Sequence, residues 1–359
     1  MTENNANTAG RTIYVDRSFY STLAKIVLPL ALQNLISFGV GLVDNFMVGS
    51  LGDGALSGVL ISNQIQWILH MLCAGLSAAL VILAAQYIGK GDVQKAKIVI
   101  TITIKIAFAA GALFTVGVSL FPGRILGLFS KDAMVIAEGM RYLPVVCFTY
   151  ILVCVNGMLL ASMRCVQNTR IGFLSSLTGF CGNVFLNWVF IFGNLGFPAM
   201  GVSGAAIATL IARVLEFSVT FLYIRFGDKI LSFRMGDLRL WDKMLLKDFF
   251  KYGSPVILGD ILWGIGGACQ VAILGRLGPE VLAANTIAAN LHQLLGVLVY
   301  AIAGASGVII GRTVGSGDVE RVKAYSRTLQ KIFLFFGCIT GLVIFFLKDR
   351  KSTRLNSSH

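Results

Sequence analysis

Nine long apolar runs shape this chain, at about 26–48, 55–88, 98–121, 140–163, 171–193, 202–225, 252–274, 281–311 and 331–347. A helix needs roughly 20 mostly apolar residues to cross the hydrocarbon core of a bilayer. Within that core the segment must satisfy its own backbone amides, which favours helices. The runs therefore predict an all-α integral membrane protein with about nine transmembrane helices. The second and eighth are long enough to tilt or to protrude, and the last is short. Composition agrees, since 13% of residues are charged, against about a quarter in a soluble domain.

The formal charge of +13 does not point to nucleic acid, because the basic residues sit in short connections. Lys90, Lys95 and Lys97 follow the second run, and Arg164 and Arg170 the fourth. Arg225, Lys229, Arg234, Arg239, Lys243, Lys247 and Lys251 follow the sixth, and Arg312, Arg321, Lys323 and Arg327 the eighth. The alternate connections hold Arg124 and Lys131, nothing basic at 194–201, then Arg276. Positive charge collects on the cytoplasmic side, so the N-terminus, with Arg11, Arg17 and Lys25, is expected in the cytoplasm and the protein in the inner (plasma) membrane. Residues 1–17 are polar and the first run is too long for a signal-peptide core, so no cleaved leader is expected. The seven cysteines form no CxxC pair and nearly all lie in apolar runs. They read as small packing residues rather than a disulfide frame or a metal site.

An internal repeat organises the chain. MVGSLGD at 47–53 matches ILGRLGP at 273–279, IGKGDVQKAK at 88–97 matches VGSGDVERVK at 314–323, and Pro29 matches Pro255. All three pairs share an offset of 226 residues. Six runs separate equivalent points, so both copies have the same orientation, as in transporters whose halves are related by an axis along the membrane normal. This predicts a polar N-terminus at 1–17, a first lobe of six helices at 18–230, and a basic linker at 231–251. The linker lies in an amphipathic stretch from about 229 that suits the inner membrane face. A partial second lobe of three helices follows at 252–347. The polar stretch 348–359 matches nothing in the first lobe and looks non-native, so the chain is read as a truncated form of a twelve-helix protein.

These features resemble the MATE family, the multidrug and toxic compound extrusion transporters. The resemblance rests on Pro29, LVDNFMVGSLG at 42–52, AAQYIGKGD at 84–92, GNVFLNWVFIFGNLGFPAMGVSGAAIAT at 182–209, and the second-copy ILGRLG and VGSGD. It implies a two-lobe, twelve-helix fold with a central cavity. It also implies export of organic, often cationic compounds driven by inward H⁺ or Na⁺ flow, with no other cofactor, and the protein is expected as a monomer in the bilayer.

Charged groups inside membrane spans are costly and few. By position alone, Asp44 is either a carboxylate that exchanges H⁺ or Na⁺ for substrate, or an acid reaching water near a helix end. The resemblance implies the first, because Asp44 matches the family's first-helix aspartate five residues before Gly49. Pro29 matches the proline where that helix can bend. Asn183 and Asn187 share one helix face and can surround a cation, bond to Asp44, or serve as interhelical glue. One family branch, the DinF-like one, carries an aspartate at the second of these positions. Asn187 departs from it and follows the NorM-like pattern. Asp260, the counterpart of Asn34, is the acidic candidate of the second lobe. The family's NorM-like glutamate position falls on Trp263, one turn away.

Arg213 and Glu216 read as an ion pair with a structural or gating role, and Lys105 as a snorkelling residue. Gln64, Gln66, Gln270, Asn290 and Trp263 are candidate cavity liners, and Trp263, Tyr150 and Phe148 can stack on flat cations. His70 and His292 read as polar packing residues. No P-loop, HExxH or GxSxG motif occurs, so a transporter is expected rather than an enzyme. Two further readings are a lipid-linked oligosaccharide flippase of the same superfamily and a nonfunctional fragment.

Overall fold

The computed structural model describes residues 17–276 and 279–355. Eleven α-helices follow one another: α1 (Arg17–Gly49), α2 (Asp53–Gly89), α3 (Val93–Leu120), α4 (Pro122–Phe129), α5 (Ala133–Val146), α6 (Thr149–Cys165), α7 (Arg170–Phe192), α8 (Gly201–Leu222), α9 (Lys243–Arg276), α10 (Pro279–Gly315) and α11 (Val319–Leu355). Among the described residues no strand occurs. Among the described residues, seven helices are long and apolar enough to cross a membrane, or eight if α5 and α6 form one bent span. The run at 252–274 is helical within α9 but lies outside that count.

The run at 140–163 is not one straight helix. It breaks between Val146 and Thr149 with a 50° bend. Pro144 sits in the last turn of α5, where it removes a helical N–H and crowds the preceding turn. The Thr115 hydroxyl, from α3, donates to the carbonyl of Cys147 at the break at 2.9 Å.

The repeat is visible in the backbone. α10 starts and ends 226 residues after α2, and α9 and α11 start 226 residues after α1 and α3. Gly91 and Gly317, the same distance apart, take φ of +82° and +79°, a conformation that favours glycine. Packing follows the same symmetry, with α2 against α9, α1 against α10, and α2 against α10. Where α2 crosses α10, Gly89 lies on the backbone of Arg312 and Gly315 on the backbone of Gln86, with no room for a Cβ at either. Gln86 and Arg312 are themselves repeat mates, so the crossing is self-complementary, as across a two-fold axis. On that axis a Cβ at Gly311 would sit 3.0 Å from the Cβ of Ala85. The larger core joins α2, α3 and α6 through residues such as Leu80, Ile100 and Met158. A second core joins α1, α10 and α11 through Ile26, Leu30, Ala301, Ala305 and Leu329.

The segment after α8 is docked on the bundle. It makes a π-turn at Tyr223–Gly227 and a 3-10 turn at Met235–Arg239, then runs along α3. The Lys97 ammonium bonds to the Asp237 carboxylate at 3.1 Å, the Thr101 hydroxyl to the Asp237 carbonyl at 3.1 Å, and the Lys105 ammonium to the Leu240 carbonyl at 3.2 Å. Lys105 also lies 5.0 Å from the centre of the Trp241 ring. Positions four apart share a helix face, so one stripe of α3 holds the whole connection. Leu231 and Phe233 are buried in the larger core. Residues 243–251, expected as linker, are the first turns of α9, where Leu245 and Phe249 are buried. At the other end α11 continues to Leu355; residues 1–16, Gly278 and 356–359 lie outside the described residues.

Candidate cation site

α1, α7, α8 and α5 bring together a polar cluster inside the first six spans. Asn183 and Asn187, one turn apart on α7, are both buried. The amide of Asn187 donates to Asp44 Oδ1 at 2.5 Å and to Asn183 Oδ1 at 3.2 Å. The amide of Asn183 reaches the Thr209 hydroxyl on α8 at 3.5 Å, and the Tyr142 hydroxyl of α5 faces Thr209. A hydrogen bond to a carboxylate is roughly twice as strong as one between neutral groups, so Asn187 is the main tie between α1 and α7 at this depth. Asn187 Oδ1 is buried and has no hydrogen-bond partner. A buried acceptor left unmade is costly, and this one belongs to the same amide that grips Asp44.

Arg213 and Glu216 flank the cluster on α8. Their side chains pair at 2.6 Å, and the Arg213 charge also reaches Asp44. Glu216 lies directly on Gly179 of α7, where a Cβ would not fit. A crevice too narrow for a water molecule runs between these groups, lined by Val40, Gly179, Asn183, Thr209, Arg213 and Glu216. Pro29 lies inside α1 without ending it. The ring leaves the carbonyl of Lys25 without its helical N–H. The Thr169 hydroxyl, at the start of α7, points at that carbonyl at 3.5 Å and at the carbonyl of Ile26 at 3.3 Å.

The structure brings Asp44, Asn183 and Asn187 together, and does not bring Asp260 to them. Asp260 is half-buried on α9, which packs on α2, α3 and α10. Its repeat mate Asn34 donates to the Val297 carbonyl of α10 at 3.4 Å. Gln64, Trp263, Gln270 and Asn290 are exposed, and Gln270 reaches Asn285 at 3.5 Å. Tyr150 is fully buried in the larger core. Lys105 is engaged at the linker. Thr209 and Tyr142 were not singled out in the sequence. Thr209 lies one turn before Arg213 on α8, and that spacing was the available signal. Among the described residues no group of three or more His, Cys, Asp or Glu side chains could hold a metal ion.

The MatE family model matches residues 29–189 and 255–356. The chain belongs to the MatE family, the MATE transporters. It is 26% identical over 329 residues to a probable multidrug resistance protein NorM of Thermotoga maritima, covering 91% of this chain and 70% of that protein. A NorM multidrug resistance protein of Aliivibrio fischeri is 26% identical over 333 residues, covering 91% and 71%. A crystal structure of a Vibrio cholerae MATE transporter shares the fold with a TM-score of 0.82 at 21% identity, covering 91% of this chain and 73% of that one.

Proposed function

We propose that this MATE chain is a multidrug antiporter that exports organic, often cationic compounds in exchange for H⁺ or Na⁺ by alternating access. The observation that carries the reading is the Asp44 carboxylate gripped by Asn187, whose own oxygen is left without a partner. The amide of Asn187 holds Asp44 and ties α1 to α7. A proton on Asp44 neutralises the carboxylate and weakens that bond. A Na⁺ ion instead takes oxygen ligands, as hard cations do, and Asp44 with the amide oxygens of Asn187 and Asn183 supplies them. Protonation loosens α1 from α7, whereas Na⁺ replaces the direct bond with an ion bridge, so either event changes how α1 packs on α7. α1 also packs on α10, so a change at Asp44 reaches the second copy of the repeat. A cationic substrate competes for the same negative charge, which gives exchange.

The alternation of Lys and Arg between connections supports a cytoplasmic N-terminus in the plasma membrane. The flippase reading needs cations free to meet a pyrophosphate. The chief cations inside the first spans are engaged, Lys105 with Leu240 and Trp241 and Arg213 with Glu216.

The test is dye efflux in everted vesicles under an imposed pH or Na⁺ gradient. Asp44→Asn is expected to abolish gradient-driven efflux while the protein still inserts in the membrane. Wild-type efflux by this variant would sink the mechanism.

A further inference from the structure

At the basic end of the bundle, beside the crossing of α2 and α10, lies a cleft of about 250 Å³. Its walls come from both copies of the repeat. Gly89 of α2 and Gln167 after α6 form one side, and Arg312 of α10 with Arg321 and Tyr325 of α11 form the other. The charge around it is unbalanced. Arg321 pairs with Asp318 at 3.0 Å. Arg312, half-buried, has no ion pair or side-chain hydrogen bond among the described residues. Arg164, behind it, donates to the Ser77 hydroxyl at 2.5 Å, and its Nε is buried without a partner. Both Arg164 and Arg312 act electrostatically on the sulfur of Cys165. Among the described residues, only Arg321 of these three guanidinium groups is paired with a carboxylate.

A cation withdrawn from water without a counter-charge is costly, and an anion that joins it removes that cost. Arginine matches phosphate through its planar fork of N–H donors. Arg312 lines the cleft with its side-chain donors unengaged, and Tyr325 and Gln167, which also line it, carry further donors. Position 312 is also rigid, because its backbone is clasped by Gly89. The volume suits a phosphoryl headgroup and is below the usual size of a drug pocket.

We infer that this cleft binds a phosphate-bearing anion, held chiefly by Arg312 and Arg321, and that its occupant fastens α10 and α11 to α2 and α6. The shared chemistry is a phosphate group, presented either by an anionic phospholipid or by a soluble phosphate. This site is separate from the Asp44 cluster, and its test reads binding rather than efflux, so it stands or falls apart from the transport reading.

The experiment uses the full chain. Native mass spectrometry compares retention of phosphatidylglycerol with that of phosphatidylcholine. Thermal unfolding with and without inorganic phosphate tests the soluble source. The expected result is selective retention of one phosphatidylglycerol, or a phosphate-dependent rise in Tm of about 5 °C. The first outcome assigns a lipid headgroup and the second a free phosphate. Arg312→Gln is expected to weaken the response about tenfold, as loss of one charge-assisted contact does. Arg321→Gln, at an exposed position that folding tolerates, is expected to weaken it several-fold. Lys95→Gln removes the repeat mate of Arg321 outside the cleft and is expected to change nothing. No selectivity and no phosphate effect in the wild type would overturn the site. Equal responses in wild type and both arginine variants, or an equal loss in Lys95→Gln, would also overturn it.

Discussion

α1 and α9 are the same helix built twice, and they carry different chemistry. Both contain a proline at the same place, Pro29 and Pro255, and both start at equivalent positions. Asp44 on α1, however, has Gln270 as its counterpart, and Asn34 has Asp260. Each copy keeps one acid within its apolar stretch, at a different height. Asp44 is enclosed by α7 and α8 and bonded to Asn187. Gln270 is exposed and reaches Asn285. What singles out Asp44 as the candidate site is therefore the set of helices that close over it. A proline and a glycine persist in both copies because the backbone requires them, whereas a polar side chain persists only where a partner waits.

The largest effect that separates the two copies is expected at these counterparts. Asp44→Asn should reduce gradient-driven efflux at least about a hundredfold, the order seen when an essential charged group is lost. Gln270→Glu and Asp260→Asn should each change it less than about tenfold. Measuring initial efflux rates in one vesicle preparation decides this, and a larger loss at Asp260 would reverse the assignment.

A smaller effect is expected at the partner. Asn187→Ala should shift half-saturation by the coupling cation about tenfold, the size of a hydrogen bond to a charged group: weaker for Na⁺, which loses an oxygen ligand, and stronger for H⁺, whose competitor for Asp44 is removed. Gln270→Ala should leave it within twofold. Cation titration of efflux is the measurement, and an unchanged half-saturation in Asn187→Ala would remove this residue from the site.

The α2–α10 crossing sharpens the comparison from the other side, since there the copies are equivalent. Gly89→Ala and Gly315→Ala each force a methyl group onto a backbone carbonyl, costing about 1–3 kcal/mol. Both should lower the thermal midpoint by similar amounts, and clearly unequal shifts would show that the crossing is not symmetric in energy. The smallest effect is expected for Thr169→Ala, which leaves two α1 carbonyls without a hydroxyl. A typical interhelical hydrogen bond in a membrane contributes about 0.6 kcal/mol, so its midpoint should fall by only a degree or two. A fall as large as that of the glycine variants would mean that α1 depends on α7 at this point.

Much of this was legible in the sequence because it is local or periodic. The spans follow from apolar length, the repeat from motifs at constant offset, and the Arg213–Glu216 pair and the Asn183–Asn187 face from helical spacing. What was not legible depends on which helix meets which. Pro144 signals a weak point, but the bend between α5 and α6 is completed by Thr115 from another helix. Thr209 and Tyr142 are ordinary residues until α5 and α8 converge on α7. The stretch at 231–251 looks amphipathic for a membrane surface, yet its apolar side chains found the protein core and its polar groups found Lys97, Thr101 and Lys105. Nothing in one strand of sequence says that Gly89 faces Arg312 rather than lipid.

The docked connection has a mechanical consequence. Its last hydrogen bond to α3 is at the carbonyl of Leu240, and α9 begins at Lys243. Only Trp241 and Asp242 lie between, and the three extended steps from Leu240 to Lys243 span at most about 10 Å. The tether between the two copies therefore has almost no slack. Any swing of α9 away from α3 must turn about this short joint, so the joint acts as a pivot that sets how far apart the two halves can travel.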